Sequence, residues 1–214
     1  MTCLVQAPLP FTAGEHVGCE PVPAARARVG ARRDLKVHVP EEWVPADGCA
    51  FVNVIYGNGP EYLMLALVLA RRMKKLGTSH PLFILPTLDV PDHFLDALRA
   101  AGCCVLQACD YLWMHSKLLK APQGRHSPVL TKLRSLGLVG LRKVVLVDAD
   151  ILPRRSLDAI FAYRAPAAKL MPANLPYVEP LQGGAAVPRD WLAVDQWGVA
   201  GRFNAGVCLL EPDL

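Results

Sequence analysis

Two carboxylates one residue apart, Asp148 and Asp150, close the run Val144-Val145-Leu146-Val147-Asp148-Ala149-Asp150. Side chains at i and i+2 of an extended chain point to the same side, so both carboxylates can reach one ion beyond the strand end. An oxygen-only pair suits a hard cation, Mn²⁺ or Mg²⁺, that keeps positions open for phosphate oxygens. For an isolated Asp-x-Asp the simpler reading is a polar turn, each carboxylate accepting from nearby amides. Here four apolar residues precede the pair, three of them β-branched, which is the pattern of a strand buried on both faces. Carboxylates crowded at such a strand end repel unless a cation or donors neutralise them. The carboxyl end of a strand is also where open α/β sheets take their ligands.

The elements that must position this pair alternate along the chain. Residues 50–56 read as a strand, Gly57-Asn58-Gly59-Pro60 as a turn, and 61–76 as a buried helix with a cationic last turn (Arg71, Arg72, Lys74, Lys75) and Gly77 as its stop. Residues 81–86 give a second strand, 91–101 an amphipathic helix ended by Gly102, and 103–107 a third strand. Residues 109–128 are irregular and 129–138 helical, leading into the strand that ends at Asp148. Beyond it Ser156 caps a short helix with Leu157, Ile160 and Phe161. Residues 162–202 read as loops with one strand at 167–171, and 203–210 as a glycine-containing turn into a last strand. Strands alternating with helices predict a mostly parallel sheet covered by helices, a nucleotide-binding α/β domain. Residues 1–46, with prolines at 8, 10, 21, 23, 40 and 45, read as a poorly ordered arm ahead of a domain over 47–214.

Composition bounds the rest. With 214 residues, 52% of them hydrophobic, the chain can bury one core. A formal charge of +4, with basic residues scattered, argues against nucleic acid. The densest basic stretch, Arg26 to Lys36, reads as a solvated tail; Glu15 and Glu20 count against an organellar transit peptide. The longest uncharged apolar stretch, Tyr62 to Ala70, falls short of the ~20 residues of a membrane span. Seven cysteines without a Cys-x-x-Cys pair point to a reducing, cytoplasmic compartment rather than a zinc cage or a disulfide framework.

Two chemistries compete for the motifs. Gly57-Asn58-Gly59-Pro60-Glu61-Tyr62 approximates a dinucleotide fingerprint, but its third glycine is Tyr62 and Pro60 removes an amide, so a tight turn explains it better. An apolar strand ending in Asp-x-Asp also opens haloacid-dehalogenase-type phosphatases, with the first Asp as nucleophile. That motif expects Thr or Val where this chain has Leu152.

Five blocks taken in order resemble the glycogenin-like family of retaining glycosyltransferases (family 8). They are Ala50-Phe51-Val52 with Tyr62 and Ala66-Leu67-Val68-Leu69, Leu130-Thr131-Lys132-Leu133, Asp148-Ala149-Asp150-Ile151-Leu152, Ser156 to Phe161, and Phe203-Asn204-Ala205-Gly206-Val207. The resemblance implies a GT-A fold binding a nucleotide sugar, a UDP-hexose such as UDP-glucose or UDP-galactose, through Mn²⁺. It implies that Asp148 and Asp150 hold the metal, with Asp148 and the Ala149 backbone near the ribose. Tyr62 and the strand end around Val54 and Tyr56 would meet the uracil, Lys132 the sugar or diphosphate, and Asn204 the hexose hydroxyls. Arg125 stands for a family arginine upstream of Thr-Lys-Leu, at a different spacing. Asp148, Asp150, Lys132 and Asn204 are thus the expected catalytic set, and a developing diphosphate charge independently calls for a divalent ion and a cation.

The sequence departs from the family in three places. The family's further metal-binding His, with Gly and Lys partners, lies beyond the Asn-Ala-Gly strand, which implies more sequence past Leu214; a nucleotide-sugar-binding remnant of weak activity is the alternative. Asp195-Gln196 precedes that strand where the family has such a pair after it. Gly201 stands where the family often has Asp.

Overall fold

The computed structural model describes residues 36–112, 128–170 and 203–212. In chain order the elements are β1 (Val37–His38), β2 (Cys49–Ile55), α1 (Pro60–Lys75), β3 (Leu82–Pro86), α2 (Asp92–Ala100), β4 (Cys104–Val105), β5 (Leu138–Val139), β6 (Lys143–Val147), β7 (Ala167–Leu170) and β8 (Phe203–Leu210). Short 3₁₀ segments lie at Glu41–Trp43, Pro128–Gly137 and Asp158–Ala162.

Six strands form one sheet in the order β4-β3-β2-β6-β8-β7. The first four are parallel, as the strand-helix alternation requires, and β8 and β7 are antiparallel additions beyond β6. Because β2, β3 and β6 are inside the sheet, both faces of each are covered and their sequences are apolar apart from Asn53 of β2 and Lys143 at the start of β6. Alternation sorts the side chains between two cores. Phe51, Ile55, Ile84, Val145 and Val147 pack with Leu69 and Met73 of α1 and Phe94 and Leu98 of α2. Val52, Val54, Phe83, Leu85, Val144 and Leu146 face the other way.

That second face corrects the expected boundary at residue 46. Val37 and Val39 are buried in it, Val37 and His38 pair in parallel with Leu138 and Val139, and Trp43 stacks on Phe83 with ring centroids 6.4 Å apart. The segment from Lys36 therefore belongs to the domain: α1 and α2 both sit on the opposite face, and this segment shares the cover of the second one with Leu138 and Leu141. A fully buried Phe or Val is worth about 1.5–3 kcal/mol, which a solvated face would forfeit. Two alternating residues, Val37 and Val39, are too short a signal to stand out in a proline-rich stretch. The rest of the expected arm, residues 1–35, lies outside the described residues.

Other boundaries shift for local reasons. The helix expected over 129–138 is a 3₁₀ segment ending at Gly137, with Leu138 already in β5. Within it the Ser135 hydroxyl donates to the Lys132 carbonyl at 2.6 Å, a side-chain bond that competes with α-helical winding. The third strand is only Cys104–Val105, although Leu106 N–H still donates to the Ile84 carbonyl at 2.9 Å. Phe203-Asn204-Ala205-Gly206 is strand, where a turn was expected, since β8 is held by β6 on one side and β7 on the other.

Candidate functional site

The strand β6 delivers Asp148 to the carboxyl end of the parallel sheet, as its sequence requires. Its exit is fixed from both neighbours. Asp148 N–H donates to the Gly206 carbonyl of β8 at 2.8 Å, and the Asn53 side-chain amide of β2 donates to the Val147 carbonyl at 2.7 Å. The β2–β6 pairing runs only to Val52 opposite Leu146, so Asn53 continues the ladder by one side-chain bond. Ile151 N–H then closes a turn onto the Asp148 carbonyl at 3.1 Å. Arg72 of α1 steadies the following loop, donating from Nε to the Pro153 carbonyl at 2.7 Å.

Lys132 reaches the same place from the 3₁₀ segment. Its Nζ lies 2.6 Å from Asp148 Oδ1, and both side chains are largely shielded from solvent, at 17% and 24% exposure. Its neighbour Thr131 is fully buried and accepts from Leu112 N–H at 3.2 Å, which orients the segment. Asn204 comes from β8, where its Oδ1 accepts the Gly206 N–H at 2.7 Å. Gly206 leaves room between these groups: a Cβ there would sit 2.9 Å from Asn204 Oδ1, 3.4 Å from Ile151 Cδ1 and 3.6 Å from Asp148 Oδ2, so a larger residue would displace the Asn204 side chain. Three chain segments thus bring Lys132, Asp148 and Asn204 to one point, and Asp150 stands exposed two residues further on.

Tyr56 and Tyr62 form the neighbouring wall, their rings 5.4 Å apart, and Tyr111 continues it at 6.4 Å from Tyr56. Burial holds the Tyr56 hydroxyl above its ordinary range, and Tyr62 and the charges of Asp148 and Asp150 push the same way. Tyr56 therefore stands close enough to the carboxylate pair to feel its charge. Val54 does not join them with its side chain, which is buried in the core on the face away from α1. Ala149 is half-buried against the core, and Arg125 lies outside the described residues.

Sequence reading missed a second carboxylate beside this wall. Asp89, at the carboxyl end of β3, accepts from the Thr87 hydroxyl, from Tyr111 Oη at 2.8 Å and from Gly57 N–H at 3.3 Å. Burial alone would raise its pKa, but these donors outweigh it and hold the carboxyl below its ordinary value. Its only signal in the sequence is an Asp in a turn after a strand, which is common. Asn53 and Arg72 were equally silent, since each acts on backbone atoms far along the chain.

As a metal donor set, the carboxylates fit a hard ion. Asp148 Oδ1 is shared with Lys132, while Asp148 Oδ2 and the exposed Asp150 carboxylate are the oxygens that could hold one.

Comparison with known proteins gives sequence likenesses to an uncharacterized viral protein and to galactinol synthases. An uncharacterized protein of Acanthamoeba polyphaga mimivirus, R707, is 32% identical over 164 residues, 77% of this chain and 55% of that protein. Galactinol synthase 4 of Arabidopsis thaliana is 26% identical over 112 residues, 52% of this chain and 33% of the synthase. Among solved structures, the galactosyltransferase LgtC in complex with donor and acceptor sugar analogs superposes with a TM-score of 0.48 and 20% identity, over 76% of this chain and 57% of that one. The chain spans about half the length of the first of these relatives and a third of the second. No protein-family model matches it. No helix among the described residues is long and apolar enough to cross a membrane.

Proposed function

We propose that this chain is a GT-A glycosyltransferase domain of the glycogenin-like type, transferring a hexose with retention from a UDP-sugar, UDP-glucose or UDP-galactose, to an acceptor. The observation that carries the reading is the convergence of Lys132, Asp148 and Asn204, from three separate segments, at the carboxyl end of a parallel sheet. A polar turn would need neither the lysine at 2.6 Å nor the glycine-made space beside the carboxylate. The sequence likeness to galactinol synthases points the same way.

In this reading Asp148 and Asp150 hold Mn²⁺ or Mg²⁺, which supplies Lewis-acid stabilisation of the departing diphosphate. Lys132, paired with Asp148 before the donor arrives, turns its ammonium to the sugar or a phosphate oxygen and adds fixed positive charge where negative charge develops. Asn204 spends its oxygen on Gly206, so its Nδ2 is what it offers to hexose hydroxyls. Tyr56 and Tyr62 give the uracil an aromatic wall with the strand end around Val54 alongside, the Ala149 backbone lies near the ribose, and Arg125 stands for the family arginine of the donor site. The free cysteines among the described residues suit work in a reducing compartment, the cytosol.

The test is release of UDP from UDP-glucose and UDP-galactose by the purified chain, with Mn²⁺ and with a chelator. The reading predicts metal-dependent release that falls about 10²–10³-fold in Lys132→Met. Release of inorganic phosphate from an aryl phosphate, lost in Asp148→Asn, would replace it with the phosphatase chemistry.

A further inference from the structure

At the opposite end of the sheet, where β2 and β3 begin, a second cluster of chemistry-bearing side chains is gathered. Asp47 precedes β2, Cys49 is its first residue, and His80 lies two residues before β3. The Asp47 carboxylate, the Cys49 sulfur and a His80 ring nitrogen all lie within 4.8 Å of one another. His80 is oriented from behind. Its Nδ1 is 3.2 Å from Asp158 Oδ1, and Asp158 Oδ2 is itself held by Ser79 N–H at 2.9 Å and Ser79 Oγ at 3.0 Å. The other nitrogen, Nε2, is directed at Asp47 Oδ2, 2.9 Å away. Phe161 packs against the ring with centroids 4.4 Å apart, which further limits its rotation.

A histidine shared between two carboxylates makes a serviceable ion-pair latch, and Asp47, His80 and Asp158 alone would build one. The latch does not use the Cys49 thiol, which donates to the Asp47 backbone carbonyl at 3.4 Å. Its sulfur is only 3.3 Å from Arg142 Nη2, while Arg142 Nε donates to the Asp47 carbonyl at 2.9 Å and fixes the guanidinium in place. A guanidinium aimed at a buried sulfur offsets the charge of a thiolate, which a latch does not need and a metal ligand does.

We propose that Asp47, Cys49 and His80 form a zinc site, structural in role and separate from the Asp148–Asp150 pair. The carboxylate-histidine arrangement through Asp158 is the support that metal-bound imidazoles usually have. Ligands bonded to tetrahedral zinc sit about 3–4 Å apart. The half-exposed Asp47 carboxylate can close that distance by side-chain rotation, and its solvent-facing side leaves the fourth position to water. On binding, the Cys49 thiol proton leaves to solvent as the sulfur–metal bond forms. The charges then balance: three anions, Asp47, Cys49 and Asp158, against Zn²⁺ and Arg142. A soft sulfur with imidazole and carboxylate selects zinc over the hard ions suited to the oxygen pair at the other end. Zinc here would tie the start of β2 to the turn before β3, and through Asp158 to the segment that follows Asp150.

The experiment uses the whole chain, made metal-free under a non-chelating reductant and titrated with Co²⁺ followed by absorption, then with Zn²⁺. The expected result is a thiolate-to-cobalt charge-transfer band that saturates at one equivalent and is removed by Zn²⁺. The band should persist in an Asp148→Asn, Asp150→Asn double variant and vanish in Cys49→Ser. Asp47→Asn changes an exposed group and should fold, and it removes a ligand; Asp158→Asn, which removes the support behind His80, should weaken zinc about 10–100-fold, and Asp47→Asn at least as much. Zinc at 100 times its Kd should raise Tm by about 5–10 °C. Absence of the band, its survival in Cys49→Ser, or unchanged zinc affinity in both Asp47→Asn and Asp158→Asn would overturn the site and leave the latch.

Discussion

Gly206 and Asp150 show how single residues decide the chemistry of the Asp148 site. At Gly206 the nearest obstacle to a Cβ is the far end of the Asn204 side chain, which can swing away. Gly206→Ala should therefore fold with a stability change within about 1 kcal/mol, while moving the amide assigned to the sugar. UDP-hexose affinity should fall more than UDP affinity, and an equal fall in both would detach Asn204 from the hexose. Asp150→Asn keeps size and removes half of the paired charge. It should abolish the Tm rise given by Mn²⁺ with UDP and leave the metal-free Tm unchanged or slightly higher, since a source of carboxylate repulsion disappears. A large loss of metal-free stability would make Asp150 a structural cap instead. Both residues were legible: the carboxylates announced themselves by type and spacing, and Gly206 by its place in the Phe-Asn-Ala-Gly block.

Between elements, the carboxyl ends of β2 and β3 are joined through Asp89. Its folded pKa lies below the ordinary value because Thr87, Tyr111 and Gly57 donate to the charged form. The sign follows from linkage: the contribution is fully present above the ordinary carboxylate pKa and is lost as pH falls through the lower folded value. Tyr111→Phe removes one donor, so it should cost about 0.5–1 kcal/mol near neutral pH and move acid unfolding to higher pH. Urea melts from pH 7 down to pH 3 check this, and a loss that does not shrink towards the acid end would contradict it. Asp89 was invisible beforehand because its partners come from three elements, and no local pattern links Gly57, Thr87 and Tyr111. The parallel strands were legible for the opposite reason, since burial on both faces makes them continuous apolar runs. The antiparallel direction of β8 was not, because strand direction depends on a connection whose path no residue pattern states. The cover supplied by Val37, Val39 and Trp43 was likewise a property of the whole sheet rather than of its own stretch.

Across the molecule, the sheet separates two ionic centres. Carboxylates and a lysine gather at the carboxyl end, and sulfur, imidazole and carboxylate gather where β2 and β3 begin. Parallel strands make this division natural, since every strand in the set presents its exit loop at one end and its entry loop at the other. At the exit end, the proposed role of Asp148 and Asp150 is to bind a nucleoside diphosphate through a divalent ion, with Lys132 beside it. Calorimetric titration of UDP into the purified chain tests that most directly, run with Mn²⁺, with a chelator, and in Asp148→Asn. The account predicts saturable binding with Mn²⁺ that weakens at least about 10-fold without the ion, a difference of about 1.4 kcal/mol, and equally in the variant. UDP affinity that is the same with and without Mn²⁺, or untouched by Asp148→Asn, would contradict it.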